Sequence, residues 1–172
     1  MTRSLFWASF LFTLPILYFL YIVQLLEKYM KKNKYIIKSL DDTKKLAKHI
    51  ANKCLGGEIF AIKGDLGAGK TTFCQFLAHY LGVDSKVNSP TFNILKLYKA
   101  NNKKIDTFCH IDAYRLKNGQ DLINLGIDDY ISANTVIAIE WPENIEKDLK
   151  LNYKTIDIIL LDDNSREFTL NF

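Results

Sequence analysis

A mixed α/β domain is the fold class this sequence predicts, its sheet mostly parallel, flanked by helices, with an antiparallel hairpin at the C-terminal end. Three observations predict it. Glu58–Ile62 is a short β-rich apolar run that feeds Gly64-Asp65-Leu66-Gly67-Ala68-Gly69-Lys70-Thr71, and a helical pattern follows at once. Ile105–Ile111 and Thr135–Ile139 are strand-like runs that each deliver an acid, Asp112 and Glu140. Thr155–Leu161 and Glu167–Phe172 alternate in strand fashion about Asp162-Asp163-Asn164-Ser165, a strong turn signal. A closing hairpin of this kind makes the sheet mixed rather than purely parallel.

The glycine-rich stretch meets the pattern Gly-x4-Gly-Lys-Ser/Thr at every specified position, with Thr72 behind it. The chemistry explains the spacing. Glycines let backbone N–H groups turn inward around an anion, and the helix N-terminus adds its positive dipole end. Lys70 brings a point charge for terminal phosphates, and the Thr71 hydroxyl is placed to hold Mg²⁺. The Lys70 side chain is expected to pack nothing in the fold. A nucleotide-binding P-loop domain follows from this stretch.

Composition bounds the rest. The chain has 172 residues, room for one domain with a real core, and its 48% apolar and 24% charged content is ordinary for a globular protein. A net charge of +4, from 23 basic and 19 acidic residues, is too weak to argue for nucleic acid by itself. Cys54, Cys74 and Cys109 form no CxxC pair; they suit a reducing compartment and small core positions. Leu5–Leu26 is the one compositional break, apolar apart from Ser9, Thr13, Pro15 and Gln24. As a helix it could cross a bilayer core of about 30 Å. Arg3 precedes it and Lys28, Lys31, Lys32 and Lys34 follow, so the positive-inside rule leaves the remainder in the cytoplasm. No small-x-small cleavage site follows it. The favoured reading is instead a natural start at Met30, which divides the chain into an apolar leader, 1–29, and a P-loop domain, 30–172. A membrane is a partner only if the leader is real.

In chain order, Tyr35–Ile37 reads as a strand and Ser39 as an N-cap with Asp41 and Asp42 in the first turn. Leu46, Ala47, Ile50, Ala51 and Cys54 form an apolar helical stripe closed by Gly56-Gly57, with His49 off it on the surface. Phe73, Phe76, Leu77, Tyr80 and Leu81 fall at helical spacing behind the P-loop, and Gly82 stops that helix. Ser89-Pro90-Thr91-Phe92 reads as a turn entering a strand over Asn93–Tyr98, or as a loop that senses the γ-phosphate. Ala100–Lys104 is a hairpin turn, and Gln120–Leu125 a short helix ended by Gly126. Asp112 stands where ligands bind in open α/β sheets, either reaching Mg²⁺ or polarising water, or merely capping a strand end. Glu140 follows β-branched and small residues in the usual form of a Walker B metal site. The two acids compete for the metal-linked role, and spacing alone does not separate them. Trp141 reads as core packing at the strand's exit or, with Tyr114 and Arg115 beside the two acids, as a residue that presents a nucleotide-dependent change to a partner.

With these pieces in place the chain resembles the bacterial TsaE (YjeE) family of small P-loop ATPases, needed for threonylcarbamoyladenosine modification of tRNA. The matching residues are 64–72, Ser-Pro-Thr-Phe at 89–92, His-Ile-Asp-Ala-Tyr-Arg-Leu at 110–116 and Glu-Trp-Pro-Glu at 140–143. Family members typically have leucine where Ala113 stands here. The resemblance implies ATP and Mg²⁺ as cofactors, with the metal held by Thr71 and Glu140. It implies a nucleotide site of Thr43, Asp65, Leu66, Gly67, Ala68, Gly69, Lys70, Thr71 and Thr72, with Thr43 near the base. Lys70 and Asp112 are the implied catalytic groups, and Ser89–Phe92 a switch-like loop. It implies a slow ATPase in the cytoplasm, acting with the TsaD–TsaB threonylcarbamoyl transferase pair and reaching tRNA only indirectly. A P-loop small-molecule kinase is the alternative. Such enzymes usually add an arginine-rich lid, and only Arg115 and Arg166 lie in this domain.

Overall fold

A computed structural model describes residues 33–90, 93–147 and 151–172. The leader, and Thr91 and Phe92 of the switch-like loop, lie outside the described residues. The strands are β1 (Asn33–Ile37), β2 (Ile59–Lys63), β3 (Leu95–Lys99), β4 (Thr107–Asp112), β5 (Thr135–Glu140), β6 (Lys154–Asp162) and β7 (Ser165–Asn171). They form one sheet in the order β1-β7-β6-β2-β5-β4-β3. Parallel pairing joins β6 to β2, β2 to β5 and β5 to β4, so three of these strands, β2, β4 and β5, bring Lys63, Asp112 and Glu140 to one edge. Antiparallel strands finish both sides, β3 against β4 and β1 against β7. The expected mixed sheet with its C-terminal hairpin is therefore present.

The helices are α1 (Leu40–Ala51), α2 (Lys70–Tyr80) and α3 (Gly119–Asn124), with 3-10 turns at Ala113–Arg115, Ile127–Tyr130 and Pro142–Asn144. Strand alternation sends two sets of side chains to opposite faces of the sheet. Phe60, Ile62, Phe108, Val136 and Ala138 pack with Leu46, Ile50, Phe73 and Leu77 of α1 and α2. Ile59, Cys109, Ile111, Ile137 and Ile139 pack on the other face with Leu122 and Ile127. Burying each large apolar side chain contributes roughly 1.5–3 kcal/mol, so the two layers clamp the sheet's acid-bearing edge. All three cysteines are buried, as small core residues should be.

Most boundaries shift by a residue or two from the sequence reading, and two of the shifts have a visible cause. The helix α1 ends at Ala51 rather than at Gly56-Gly57, because the Lys53 and Cys54 amides already turn back to the Ile50 and Ala51 carbonyls. Strand β3 begins at Leu95, not Asn93. Ile94 is left-handed, with φ 61°, and its carbonyl accepts the Asp112 N–H at 2.8 Å, which interrupts the extended run. The start of α1 is as expected: Ser39 Oγ accepts the Asp42 N–H at 3.1 Å, while Asp42 Oδ2 accepts from Ser39 Oγ and from the Lys38 N–H.

Candidate functional site

The P-loop runs from the end of β2 into α2, whose N-cap is Gly69 at φ 104°, with no side chain capping the first turn. The first-turn N–H groups of α2 therefore have no side-chain competitor for an anion. Gly64, at φ +143°, lies so close to the sheet that a Cβ would sit 2.4 Å from the Ile158 carbonyl oxygen. Only glycine fits there, and this contact anchors the start of the loop on β6.

Lys70 is not the free side chain the sequence suggested. It is 5% exposed, and its Nζ donates to the Gly64 carbonyl at 2.6 Å and the Asp65 carbonyl at 2.9 Å. The same ammonium lies 3.7 Å from the centroid of the Trp141 ring. Trp141 is thus no core residue: it is left-handed, with φ 58°, half-buried, and turned over the loop beside Tyr114. Burial holds the Lys70 ammonium below the ordinary lysine value, while Glu140, Glu143, Asp112 and Asp65 oppose that shift.

Asp112 and Glu140 are direct register partners at the ends of β4 and β5, which is why they look equivalent in sequence. Their contacts separate them. Glu140 Oε2 accepts from Thr71 Oγ1 at 2.9 Å, and its Oε1 lies 2.7 Å from His110 Nε2. Asp112 Oδ2 accepts from Ser89 Oγ at 3.1 Å, and its Oδ1 accepts the Tyr114 N–H at 3.1 Å. Glu140 is 2% exposed and Asp112 6%. A hydroxyl and a carboxylate side by side are hard oxygen donors of the kind Mg²⁺ takes, so Thr71 and Glu140 fit that ion. Cys74, one turn further along α2, is buried beside Glu140; burial first and the neighbouring carboxylate second push its thiol well above the ordinary value.

Two cavities flank the loop. One, of about 310 Å³, is lined by Lys38, Ser39, Thr43, Asn164, Arg166 and Phe168 together with loop residues. The other, of about 470 Å³, holds Lys70, Thr71, Ser89, Asp112, Glu140 and Trp141. Both include Gly67, Gly69 and Thr72, so one elongated ligand could lie across the loop with an end in each.

The sequence-derived set divides between these spaces. Thr43 and Ala68 line the first cavity, Leu66, Lys70 and Thr71 the second, and Asp65 takes part through its backbone carbonyl on Lys70. Sequence reasoning missed Arg166, His110 and the hairpin residues Asp163 and Asn164. Arg166 Nε lies 3.9 Å from where a Gly69 Cβ would stand, close to the head of α2. Nothing local marks it, because β7 reaches the loop only through the pairing of the sheet. For His110 a signal existed: it precedes Asp112 by two residues on the same strand and so shares its face.

Loop, helix and acid-tipped parallel strands together define a mixed α/β domain of the P-loop type. The model for the family described as "Threonylcarbamoyl adenosine biosynthesis protein TsaE" matches residues 37–168, and the chain belongs to that family. A tRNA threonylcarbamoyladenosine biosynthesis protein TsaE of Rickettsia felis is 39% identical over 132 residues, 76% of this chain and 75% of its own. The protein of that name from Bacillus subtilis is 37% identical over 140 residues, 81% of this chain and 85% of its own. A crystal structure of Bacillus subtilis YdiB superposes with a TM-score of 0.66 at 34% identity, covering 81% of this chain and 84% of that one. No helix among the described residues is long and apolar enough to cross a membrane.

Proposed function

We propose that this domain is a Mg²⁺-dependent ATPase that serves the threonylcarbamoyladenosine modification of tRNA, working in the cytoplasm with the TsaD–TsaB pair. The observation that carries the reading is the Thr71–Glu140 contact, in the one of the two loop-sharing cavities that also holds Lys70 and Asp112. The names of the relatives supply the pathway.

In this reading Thr43, Lys38 and Arg166 enclose the base and sugar side of ATP, and the backbone from Asp65 to Thr72 cradles its phosphates. Lys70 places its charge on the terminal phosphates. Thr71 and Glu140 would hold Mg²⁺, and the ion when bound would supply positive charge against the β- and γ-phosphates. Asp112 orients the attacking water and accepts its proton at a carboxylate oxygen, with Ser89 and the Tyr114 N–H holding that group in place. No side chain among the described residues forms a recognisable acyl-transfer group, so the cycle drives the partner pair rather than making the nucleoside itself. Tyr114, 60% exposed, and Arg115, also exposed, adjoin the site and are the residues this reading offers to a partner.

Steady-state phosphate release tests this, with and without the TsaD–TsaB pair. Slow hydrolysis raised by the partners supports the reading. Transfer of phosphate to a small metabolite, or indifference to the partners, overturns it in favour of a kinase.

A further inference from the structure

We infer that His110 is a positioning residue that sets the direction of the Glu140 carboxylate toward the metal. The inference rests on the proposed Mg²⁺ site and gives a role there to the first residue of the 110–116 motif.

The backbone prepares the contact. His110 pairs with Ala138 across β4 and β5, and Glu140 lies two residues beyond Ala138 on the same face. The alanine methyl leaves room, so the imidazole reaches diagonally to the glutamate. Phe108 lies against the His110 ring, with centroids 6.1 Å apart, and limits its rotation. The result is a split carboxylate: Oε1 faces His110 inside the fold, and Oε2 faces Thr71 at the cavity. Glutamate has freely turning side-chain torsions, and its direction would otherwise be set from one side only.

His110 is fully buried, and its Nδ1 has no hydrogen-bond partner among the described residues. A buried nitrogen left bare is a cost that an apolar side chain of the same shape would avoid. The imidazole must therefore contribute through its other nitrogen. Because a carboxylate accepts, Nε2 is the nitrogen that must carry a hydrogen. The same observation argues against a thiophilic metal held by Cys74, His110 and Glu140, whose ligand atoms lie within 4.8 Å of one another. A ligating histidine almost always anchors its second nitrogen, and this one does not.

The test uses the full chain with His110→Phe and His110→Gln. ATP affinity is measured by calorimetry with Mg²⁺ and with the metal chelated. Phe should lose roughly 10- to 100-fold in the metal-dependent part of the affinity, the range for partners of a metal-holding side chain, with metal-free affinity close to wild type. Gln, whose amide N–H can reach the Nε2 position, should recover most of the loss. Equal falls with and without metal, or wild-type behaviour of Phe, would overturn the positioning role. A wild type with no metal-dependent affinity would instead overturn the proposed site, and the role of His110 with it. Long-range proton–nitrogen NMR of the unmodified protein checks the geometry independently of folding defects or metal. Hydrogen on Nε2 supports the inference, and hydrogen on Nδ1 alone overturns it.

Discussion

Thr71 and Glu140 meet across 69 residues of sequence, the threonine hydroxyl donating to Oε2 at 2.9 Å. Asp112, beside Glu140 in register, is held instead by Ser89 and the Tyr114 amide. Two acids that sequence spacing leaves equivalent thus have different neighbours, and each neighbour implies a different failure on mutation.

Glu140→Gln should weaken Mg²⁺-dependent nucleotide binding, and excess Mg²⁺ should partly restore it. Asp112→Asn should leave binding nearly intact and lower turnover by roughly 10²–10⁴-fold, the usual contribution of a general base. Calorimetry at two Mg²⁺ concentrations, paired with phosphate release, distinguishes them; the opposite pattern would exchange the two roles.

Lys70→Ala should abolish turnover and weaken ATP binding about tenfold or more, since a charge-assisted hydrogen bond contributes about 1.5–3 kcal/mol. Because Lys70 is buried against Trp141 and bonds two loop carbonyls, alanine should also lower the melting temperature. Lys70→Met, which keeps the stem, should lose turnover with a smaller thermal shift. Equal melting temperatures for alanine and wild type would show that the packing contributes nothing.

Arg166→Ala should weaken nucleotide binding about tenfold, the loss of one charged contact, while the metal dependence stays as in wild type. Its place in the cavity beside Thr43 and Gly69 motivates this. Titration of ATP and ADP at saturating Mg²⁺ is the measurement, and an unchanged affinity for both would remove Arg166 from the site.

Gly64→Ala should destabilise the fold by about 1–3 kcal/mol, as overpacking does, because the new methyl meets the Ile158 carbonyl oxygen 2.4 Å away. Backbone must move to relieve it. A urea midpoint equal to wild type would mean that β6 yields without cost.

The start of α1 should open in acid. Hydrogen bonds from the Ser39 hydroxyl and the Lys38 amide hold Asp42 below its ordinary value of 3.8. The unfolded chain therefore takes up this proton more readily than the folded one. The stabilisation is complete above 3.8 and is lost as pH falls through the lower folded value. Amide exchange at Asp42 and Thr43 across this range should show the loss, and Asp42→Asn should remove its pH dependence. Since Ser39 and Thr43 line a cavity, ATP affinity should fall over the same interval.

Much of this protein was legible locally. The P-loop, the Ser39 cap, the strand-end acids and the C-terminal turn are decided by residues within a few positions of each other. The sterics of glycine and the short reach of caps and turns act on that scale. The left-handed Ile94 and the early end of α1 escaped, because the first depends on the Asp112 amide and the second on how the last turn closes. Trp141 stayed open for a similar reason: a large apolar residue after a strand suggests core as readily as a surface beside the acids, and only the loop's proximity offers Lys70 as its partner.

The sequence by itself determined the fold class, the phosphate loop, and the pair of strand-end acids, Asp112 and Glu140, that stand as candidates for the metal-linked role. The tertiary structure decided which acid meets Thr71, which histidine stands behind it, and that Arg166 joins a cavity lined by Thr43 and Gly69, far earlier in the chain. The physical reason is pairing at a distance. β4 lies beside β5, and β7 beside β1, through ladders whose register is set by buried faces and not by any nearby residue. Contacts of a few ångströms between strands so far apart in the chain leave no periodicity in it to read.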